Sequence, residues 1–316
     1  MVVPTYERPR HLRGAVETAL GQTLDPREVV VVDDGSETDY ATAVADEYAR
    51  VRCVSHEENR GAAAARNTGI DAVTGEYVAF LDDDDRWHER KLERQAAVLD
   101  ARPGVGLVTC LMASVTADGE LLTCERTVPT GDLSDAVLVD NAVGSPSRAL
   151  VRGAALEDER FDESLPTKHD WELFLRLCQE WPVASVSDHL YVRTWHGSLT
   201  SDPRTVERDR LAVLRKHEST IRSRGRWPSA MATYHTNVGR KYLGTGDRAA
   251  ARSHLRRAVA REPSRRRLAL LALTLVPHRA FESARDGKRW LDRRRHDCPD
   301  AESLSGSVPA SPGPDP

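Results

Sequence analysis

The sequence predicts an α/β protein with a Rossmann-like, open and mostly parallel sheet flanked by helices, plus a small all-helical C-terminal region. Three observations carry this expectation. Short apolar runs alternate with helical periodicity over the first 80 residues, as strands and crossover helices do in open α/β sheets. Three of the apolar runs stop at polar clusters, Pro4-Thr5-Tyr6, Asp33-Asp34-Gly35-Ser36 and Asp82-Asp83-Asp84-Asp85. In such sheets ligands collect beyond the carboxyl ends of the strands, so the topology draws these clusters into one crevice. After about residue 205 only helical spacing remains.

Val2-Val3 opens the chain as a stub of strand, and Leu12, Val16, Ala19 and Leu20 follow at helical spacing. Glu28 to Val32 is almost wholly apolar, as a strand buried on both faces must be. Asp33-Asp34-Gly35-Ser36 supplies a turn and a cap for the helix through Tyr40, Val44 and Tyr48. Val51 to Val54 is a third strand, Gly61 to Val73 an Ala-rich helix, and Tyr77 to Leu81 a fourth strand. Lys91 to Leu99 is helical and ends at Arg102-Pro103-Gly104. Val105 to Ala113 and Glu120 to Cys124 form a strand and its hairpin partner. Trp171 to Leu177 is an amphipathic helix, Val183 to Val192 a strand, and Arg193 to Ser198 a closing loop.

Beyond this lie charged helices over Val206 to Ile221 and Tyr234 to Leu243, then Asp247 to Ala260 and Arg265 to Leu275. Tyr242-Leu243-x-x-Gly246-Asp247 with Ala250, Leu255 and Ala258 resembles one tetratricopeptide-like hairpin, and one repeat makes no solenoid. The expected division is a catalytic domain over 1–205, a helical extension over 206–296 and a disordered tail over 297–316.

Composition narrows the class. Of 316 residues 40% are apolar and 30% charged, so a core lies under a charged surface. Net charge is -4, with 49 acids against 45 Lys and Arg, which gives the whole chain no basic footprint for nucleic acid. Cysteines at 53, 110, 124, 178 and 298 show no C-x-x-C spacing, which fits reduced thiols and argues against zinc. No signal peptide is evident, and the apolar stretch Leu268 to Pro277 is about half a membrane span. A cytoplasmic protein is expected, soluble or peripheral at the membrane face through basic segments such as Arg208 to Arg226.

Chemistry centres on the four consecutive carboxylates after Leu81. Like charge at a strand end is costly unless a cation shares it. A hard divalent ion that also holds substrate phosphates meets that need, while a solvated acidic turn is the plainer alternative. A nicotinamide-binding turn would need Gly-x-Gly-x-x-Gly after a strand, and a P-loop would need Gly-x-x-x-x-Gly-Lys-Ser/Thr; neither occurs.

Over about residues 1 to 205 the chain resembles a family 2 glycosyltransferase of the GT-A fold. The matching pieces are Val3-Pro4-Thr5-Tyr6-Glu7-Arg8-Pro9, Val31-Val32-Asp33-Asp34-Gly35-Ser36, Glu58-Asn59-Arg60-Gly61 and Ala65-Arg66-Asn67-Thr68-Gly69. Leu81 through Trp87 and Lys168-His169-Asp170-Trp171-Glu172-Leu173 follow. Their order and spacing carry the likeness. It implies transfer of a hexose from a nucleoside-diphosphate sugar with Mg²⁺ or Mn²⁺ and inversion at the anomeric carbon. A UDP-sugar is favoured, with GDP- or dTDP-sugars as alternatives. The acceptor is a hydroxyl of a lipid-linked saccharide or surface-glycan precursor, and the C-terminal helices leave room for a protein partner.

Carried over, the resemblance lays Pro4, Thr5 and Tyr6 against the nucleobase and has Asp34 accept from the base N–H, while Asp33 orients the turn. Asp84 is the main metal ligand, with Asp82 or Asp83 reaching the ribose or the ion; Asp85 caps the next helix. Arg66 partners the diphosphate or an acid, and Arg193 and His196 approach the diphosphate and metal in the closing loop with Ser198. Asn59 and Asn67 hold loops, and Trp195 covers an acceptor ring.

Asp170 is the base. The family usually precedes it with Glu where this chain has His169; an imidazolium there would lower the Asp170 pKa. Family chains also carry a few residues before the first strand, so an upstream natural start is expected. A nucleotidyltransferase on a related scaffold and a non-catalytic nucleotide-sugar-binding adaptor are the alternatives. Asp34, Asp84 and Asp170 together favour the transferase.

Overall fold

The computed structural model describes residues 1–195 and 202–276. Among these the chain divides into two compact units, one of residues 1–133 and 143–195, the other of 134–142 and 202–276.

In the first unit Val2–Thr5 (β1) pairs in parallel with Val29–Asp33 (β2), and β2 with Val51–Ser55 (β3). Every residue of β1 and β2 is buried, which is why their sequences run apolar without alternation up to the terminal Thr5 and Asp33. Pro9–Leu20 (α1) is buried along His11, Leu12, Ala15, Val16 and Ala19, and its Leu12, Ala15, Val16 and Ala19 join β1 and β2 in one apolar cluster. Tyr40–Asp46 (α2) joins that cluster through Ala41 and Val44. Ala62–Ala72 (α3) presses directly on β1: a Cβ added at Gly69 would fall 2.1 Å from Val2 Cγ1. This close approach fixes the start of α3 beyond the ends of β1 and β2.

Tyr77–Ala79 (β4) brings the acid run alongside β1. Phe80 bridges Val2 in parallel, and the Leu81 N–H donates to the Val2 carbonyl at 3.0 Å. From here the sheet departs from the mostly parallel arrangement expected. Its strands are β4, Asp85–Trp87 (β5), Leu107–Thr116 (β6), Leu121–Cys124 (β7), Leu150–Arg152 (β8) and Val183–Trp195 (β9). They run in the order β4-β8-β6-β9-β5, with β7 on β6. Only β6 with β9 is parallel there; β4·β8, β6·β8, β5·β9 and β6·β7 are antiparallel. The whole is an α/β core on a mixed sheet. Beyond Lys91–Ala101 (α4) a hairpin joins β6 to β7, and β8 and β5 run antiparallel to their neighbours, so strand direction in this sheet is mixed.

Two local expectations are also revised. Asp85 opens β5 instead of capping a helix, and Arg90 holds the cap position of α4 without a side-chain capping hydrogen bond. Arg193 and Trp195 belong to β9, with Arg193 opposite Asp85.

The second unit contains Ser134–Val137 (α5), Pro203–Lys216 (α7), Glu218–Ser223 (α8), Trp227–Gly244 (α9), Arg248–Arg261 (α10) and Arg265–Leu273 (α11); His169–Glu180 (α6) belongs to the first. Asp202 caps α7, Asp247 caps α10 and Ser264 caps α11, each accepting from backbone N–H groups of the first turn. Asp140 accepts from Arg210 and from Asn237 Nδ2, and Asp135 from Arg226, which staples residues 134–142 to these helices. Charge is unevenly shared. Residues 203–276 hold eighteen Arg or Lys against five Asp or Glu, whereas 1–202 hold twenty against thirty-seven.

Cys53, Cys110 and Cys178 are free thiols, but Cys124 is disulfide-bonded, so the reduced-thiol expectation does not extend to it. No helix among the described residues is long and apolar enough to cross a membrane. His196, Ser198 and the expected tail from 297 lie outside the described residues.

Candidate active site

The site is built where β1, β2 and β4 end. Pro4 and Thr5 are buried at the end of β1, while Tyr6 is 45% exposed. The Thr5 hydroxyl donates to Asp83 Oδ2 at 2.8 Å and lies 2.8 Å from the Tyr40 hydroxyl. Glu7 adopts a left-handed backbone (φ 53°), and its carboxylate accepts from the Glu37 N–H, which ties the turn after β1 to the turn after β2.

Within that second turn the two acids have separate tasks. Asp33 Oδ1 accepts from the Ser36 N–H and hydroxyl, at 3.2 and 2.5 Å, and so shapes the turn. Asp34 reaches across to the start of α3. Its Oδ1 accepts from the Arg60 N–H at 3.0 Å and lies 2.7 Å from His56 Nδ1; its Oδ2 accepts from the Gly61 N–H at 2.7 Å. A carboxylate beside the N-terminus of α3 is electrostatically favoured; two donors occupy Oδ1, whereas Oδ2 keeps a further lone pair. Gly35, directly after Asp34, has φ 80°, and a Cβ there would meet the Glu58 carbonyl carbon at 2.4 Å. Asn67 holds a loop: it donates to the Phe161 carbonyl at 2.9 Å and accepts from the Phe161 N–H at 2.8 Å.

The acid run resolves into four different groups. Burial works to raise the Asp82 pKa, but the Arg66 guanidinium, 2.5 Å from Oδ1, carries it below the ordinary value. Burial lifts Asp83 to about 7 despite Arg8, with Asp84 adding to the rise. Arg8 Nη1 spans Asp83 Oδ1 at 3.1 Å and Asp84 Oδ2 at 3.0 Å. Burial, then Asp84 and Asp82, lifts Asp85 well above the usual carboxylate range, and Asp85 Oδ2 accepts from the Tyr191 hydroxyl at 2.8 Å. Two arginines and partial protonation therefore relieve the repulsion that four adjacent acids would impose.

Asp170 stands in the first turn of α6, whose cap position is held by left-handed Lys168 (φ 65°). The neighbouring His169 is buried, with Nε2 2.8 Å from Arg66 Nη1. Burial, then the Arg66 charge, lowers the His169 pKa, so no imidazolium stands beside Asp170 at neutral pH. Arg193 lies under the half-exposed Trp195, its guanidinium 5.5 Å from the ring centroid. Arg66 thus joins α3, the acid run and α6 at one point.

Among the described residues no group of three His, Cys, Asp or Glu could enclose a metal ion. Asp82 Oδ2 and Asp84 Oδ1 nevertheless take no hydrogen bond from the described residues, and they lie on partly exposed side chains two residues apart. Hard carboxylate oxygens from one or two residues, completed by water and substrate phosphate, suit Mg²⁺ or Mn²⁺. The Nε–H of Arg66 is buried and meets no acceptor, a further donor suited to an anion.

Sequence reasoning assigned no site role to Arg8, His56, Ser147 or Tyr191, which bond the acids named above or their backbone, nor to Tyr40, whose hydroxyl meets Thr5 and accepts from the Arg8 N–H. Only Arg8 carried a signal, as a fixed cation in a turn facing an unbalanced acidic run.

Residues 1–158 match the profile of Glycosyl transferase family 2. An uncharacterized glycosyltransferase of Rickettsia felis is 29% identical over 196 residues, which make up 58% of this chain and 32% of that protein. The matched stretch therefore spans about a third of that relative's length. S. aureus TarS 1-349 in complex with UDP-GlcNAc superposes with a TM-score of 0.55 at 18% identity, covering 99% of both chains. The mannosyltransferase PcManGT from Pyrobaculum calidifontis, in complex with GDP-Man and Mn²⁺, gives 0.54 at 23% identity, over 89% of this chain and 82% of the other. Such likeness establishes the GT-A-like α/β core.

Proposed function

The chain belongs to glycosyl transferase family 2, and from that premise we propose that it moves a hexose, with inversion, from a nucleoside-diphosphate sugar to an acceptor hydroxyl. A UDP-sugar is the favoured donor, in keeping with TarS in complex with UDP-GlcNAc. PcManGT in complex with GDP-Man keeps a GDP-sugar as the second choice. The acceptor is a lipid-linked saccharide or surface-glycan precursor.

One observation carries the reading. Arg66 holds Asp82 through Nη2 while its Nη1 meets His169, so the acid run and the helix bearing Asp170 share one guanidinium. In this reading Pro4, Thr5 and Tyr6 border the base, and Asp34 accepts its N–H through Oδ2. Asp82, Asp83, Arg66 and Arg193 line the ribose and diphosphate. Asp84 and Asp82 hold Mg²⁺ or Mn²⁺, joined by His196 from beyond the described residues. When bound, the ion neutralises charge on the departing diphosphate. Asp170 takes the acceptor's proton as its oxygen forms the new bond to the anomeric carbon. The carbon–oxygen bond to the diphosphate breaks, and the nucleoside diphosphate leaves with that electron pair.

The domain reading is a catalytic region over 1–205, a helical extension over 206–296 and a tail over 297–316. The arginine surplus of the helices supports peripheral contact with an anionic membrane face, on the cytoplasmic side, and leaves their surface open to a protein partner. Isothermal titration with UDP and GDP, each with and without Mn²⁺, tests the donor. Tight metal-dependent UDP binding is expected; absent or metal-independent binding of both overturns the reading. A donor screen with lipid-phosphate acceptors follows.

A further inference from the structure

The contact between Arg66 and His169 fixes the chemistry of both. A guanidinium carries only donors and stays charged, so the His169 Nε2 facing Arg66 Nη1 at 2.8 Å is the acceptor. Its proton is then on Nδ1, which faces the Leu165 carbonyl at 3.3 Å, an acceptor that holds the same tautomer. Ring packing locks the orientation. Phe161 meets His169 edge-on at 5.8 Å between centroids and meets Phe80 at 5.3 Å, and the Arg66 guanidinium lies 5.6 Å from the Phe161 ring. Asn67 in turn clamps the Phe161 backbone from both sides.

A glutamate, the usual residue here in the resembled family, would offer Arg66 a second negative charge. The guanidinium would then be divided between two carboxylates before any donor arrived. With a neutral imidazole the only anionic partner of Arg66 among the described residues is Asp82, and its buried Nε–H meets no acceptor there.

We infer that His169 is a positioning residue: it anchors Arg66 through an uncharged hydrogen bond, so that the guanidinium's charge is shared only by Asp82 and the donor's diphosphate. The inference rests on the transferase reading for the identity of that anion. It follows that binding energy toward the diphosphate, not toward the nucleoside, depends on the neutrality of residue 169.

Titration of UDP and of uridine, with Mn²⁺, into the full-length wild type, H169Q and H169E tests it. Glutamine keeps a neutral acceptor, and its UDP affinity should stay within about threefold of wild type. Glutamate should weaken UDP on the order of tenfold, about the effect of one added nearby charge, and leave uridine unchanged. Nitrogen NMR of His169 at neutral pH supplies a readout independent of any donor, with Nδ1 protonated and Nε2 not. An Nε2–H signal, or H169E binding UDP as tightly as wild type, overturns the inference. If wild type itself binds no UDP or GDP while the tautomer is as stated, the donor reading fails but the Arg66 anchor stands. Thermal melts of both variants identify any loss of fold, and H169Q then decides.

Discussion

The Thr5 hydroxyl donates to Asp83 Oδ2 at 2.8 Å, tying the end of the first strand to an acid 78 residues later. That bond lies in a buried setting, and with Arg8 it opposes the rise that burial imposes on Asp83.

The sign of the resulting pH dependence is fixed. Asp83 titrates at about 7 in the fold against 3.8 ordinarily, so the folded state binds more protons than the unfolded state between those values. Its contribution to stability is fully present at low pH and is lost as pH rises through that window. Asp83→Asn should therefore gain stability relative to wild type more at pH 8 than at pH 4.5. Thermal melts with chelator present check this, and an equal difference at both pH values contradicts it.

Asp170→Asn should lower turnover by about 10²–10⁴-fold, the usual weight of a positioned general base, while UDP affinity hardly changes. Comparing steady-state rates with titrated nucleotide affinity separates the two. Retained turnover would remove Asp170 from the base role.

Asp84 and Asp85 are neighbours with opposite fates. Asp84→Asn should abolish the Mn²⁺ dependence of UDP binding, because a partly exposed carboxylate oxygen is lost. Asp85→Asn should retain it, since that group is buried on Tyr191. Titrations of both variants with and without Mn²⁺ decide the matter; equal effects would place the ion elsewhere.

Gly69→Ala should destabilise the protein by about 1–3 kcal/mol, as a new Cβ would meet Val2 Cγ1 at 2.1 Å inside a packed layer. Gly104→Ala, with nothing within 4 Å, is the matched control and should be near neutral. Urea unfolding of the pair measures the difference.

What could be read beforehand follows physical lines. β1 and β2 with their helices were legible because strands buried on both faces leave continuous apolar runs such as Val29 to Val32. The remaining sheet was not, since strand direction after Ala101 depends on loop paths that carry no periodicity. The family resemblance grouped Asp34, Asp84 and Asp170 as a set. No spacing rule could say that Arg8 would bridge Asp83 and Asp84, or that Asp85 would turn inward to Tyr191. Those outcomes depend on which carboxylates become buried, a tertiary property.

The near-balance of the whole chain hides two stretches of opposite charge, with a surplus of thirteen positive charges over 203–276 and of seventeen negative over 1–202. Molecules of this kind attract one another in dilute buffer even when their net charge should keep them apart. Solubility should accordingly climb as salt is added, once the screening distance contracts to about 8 Å near physiological strength.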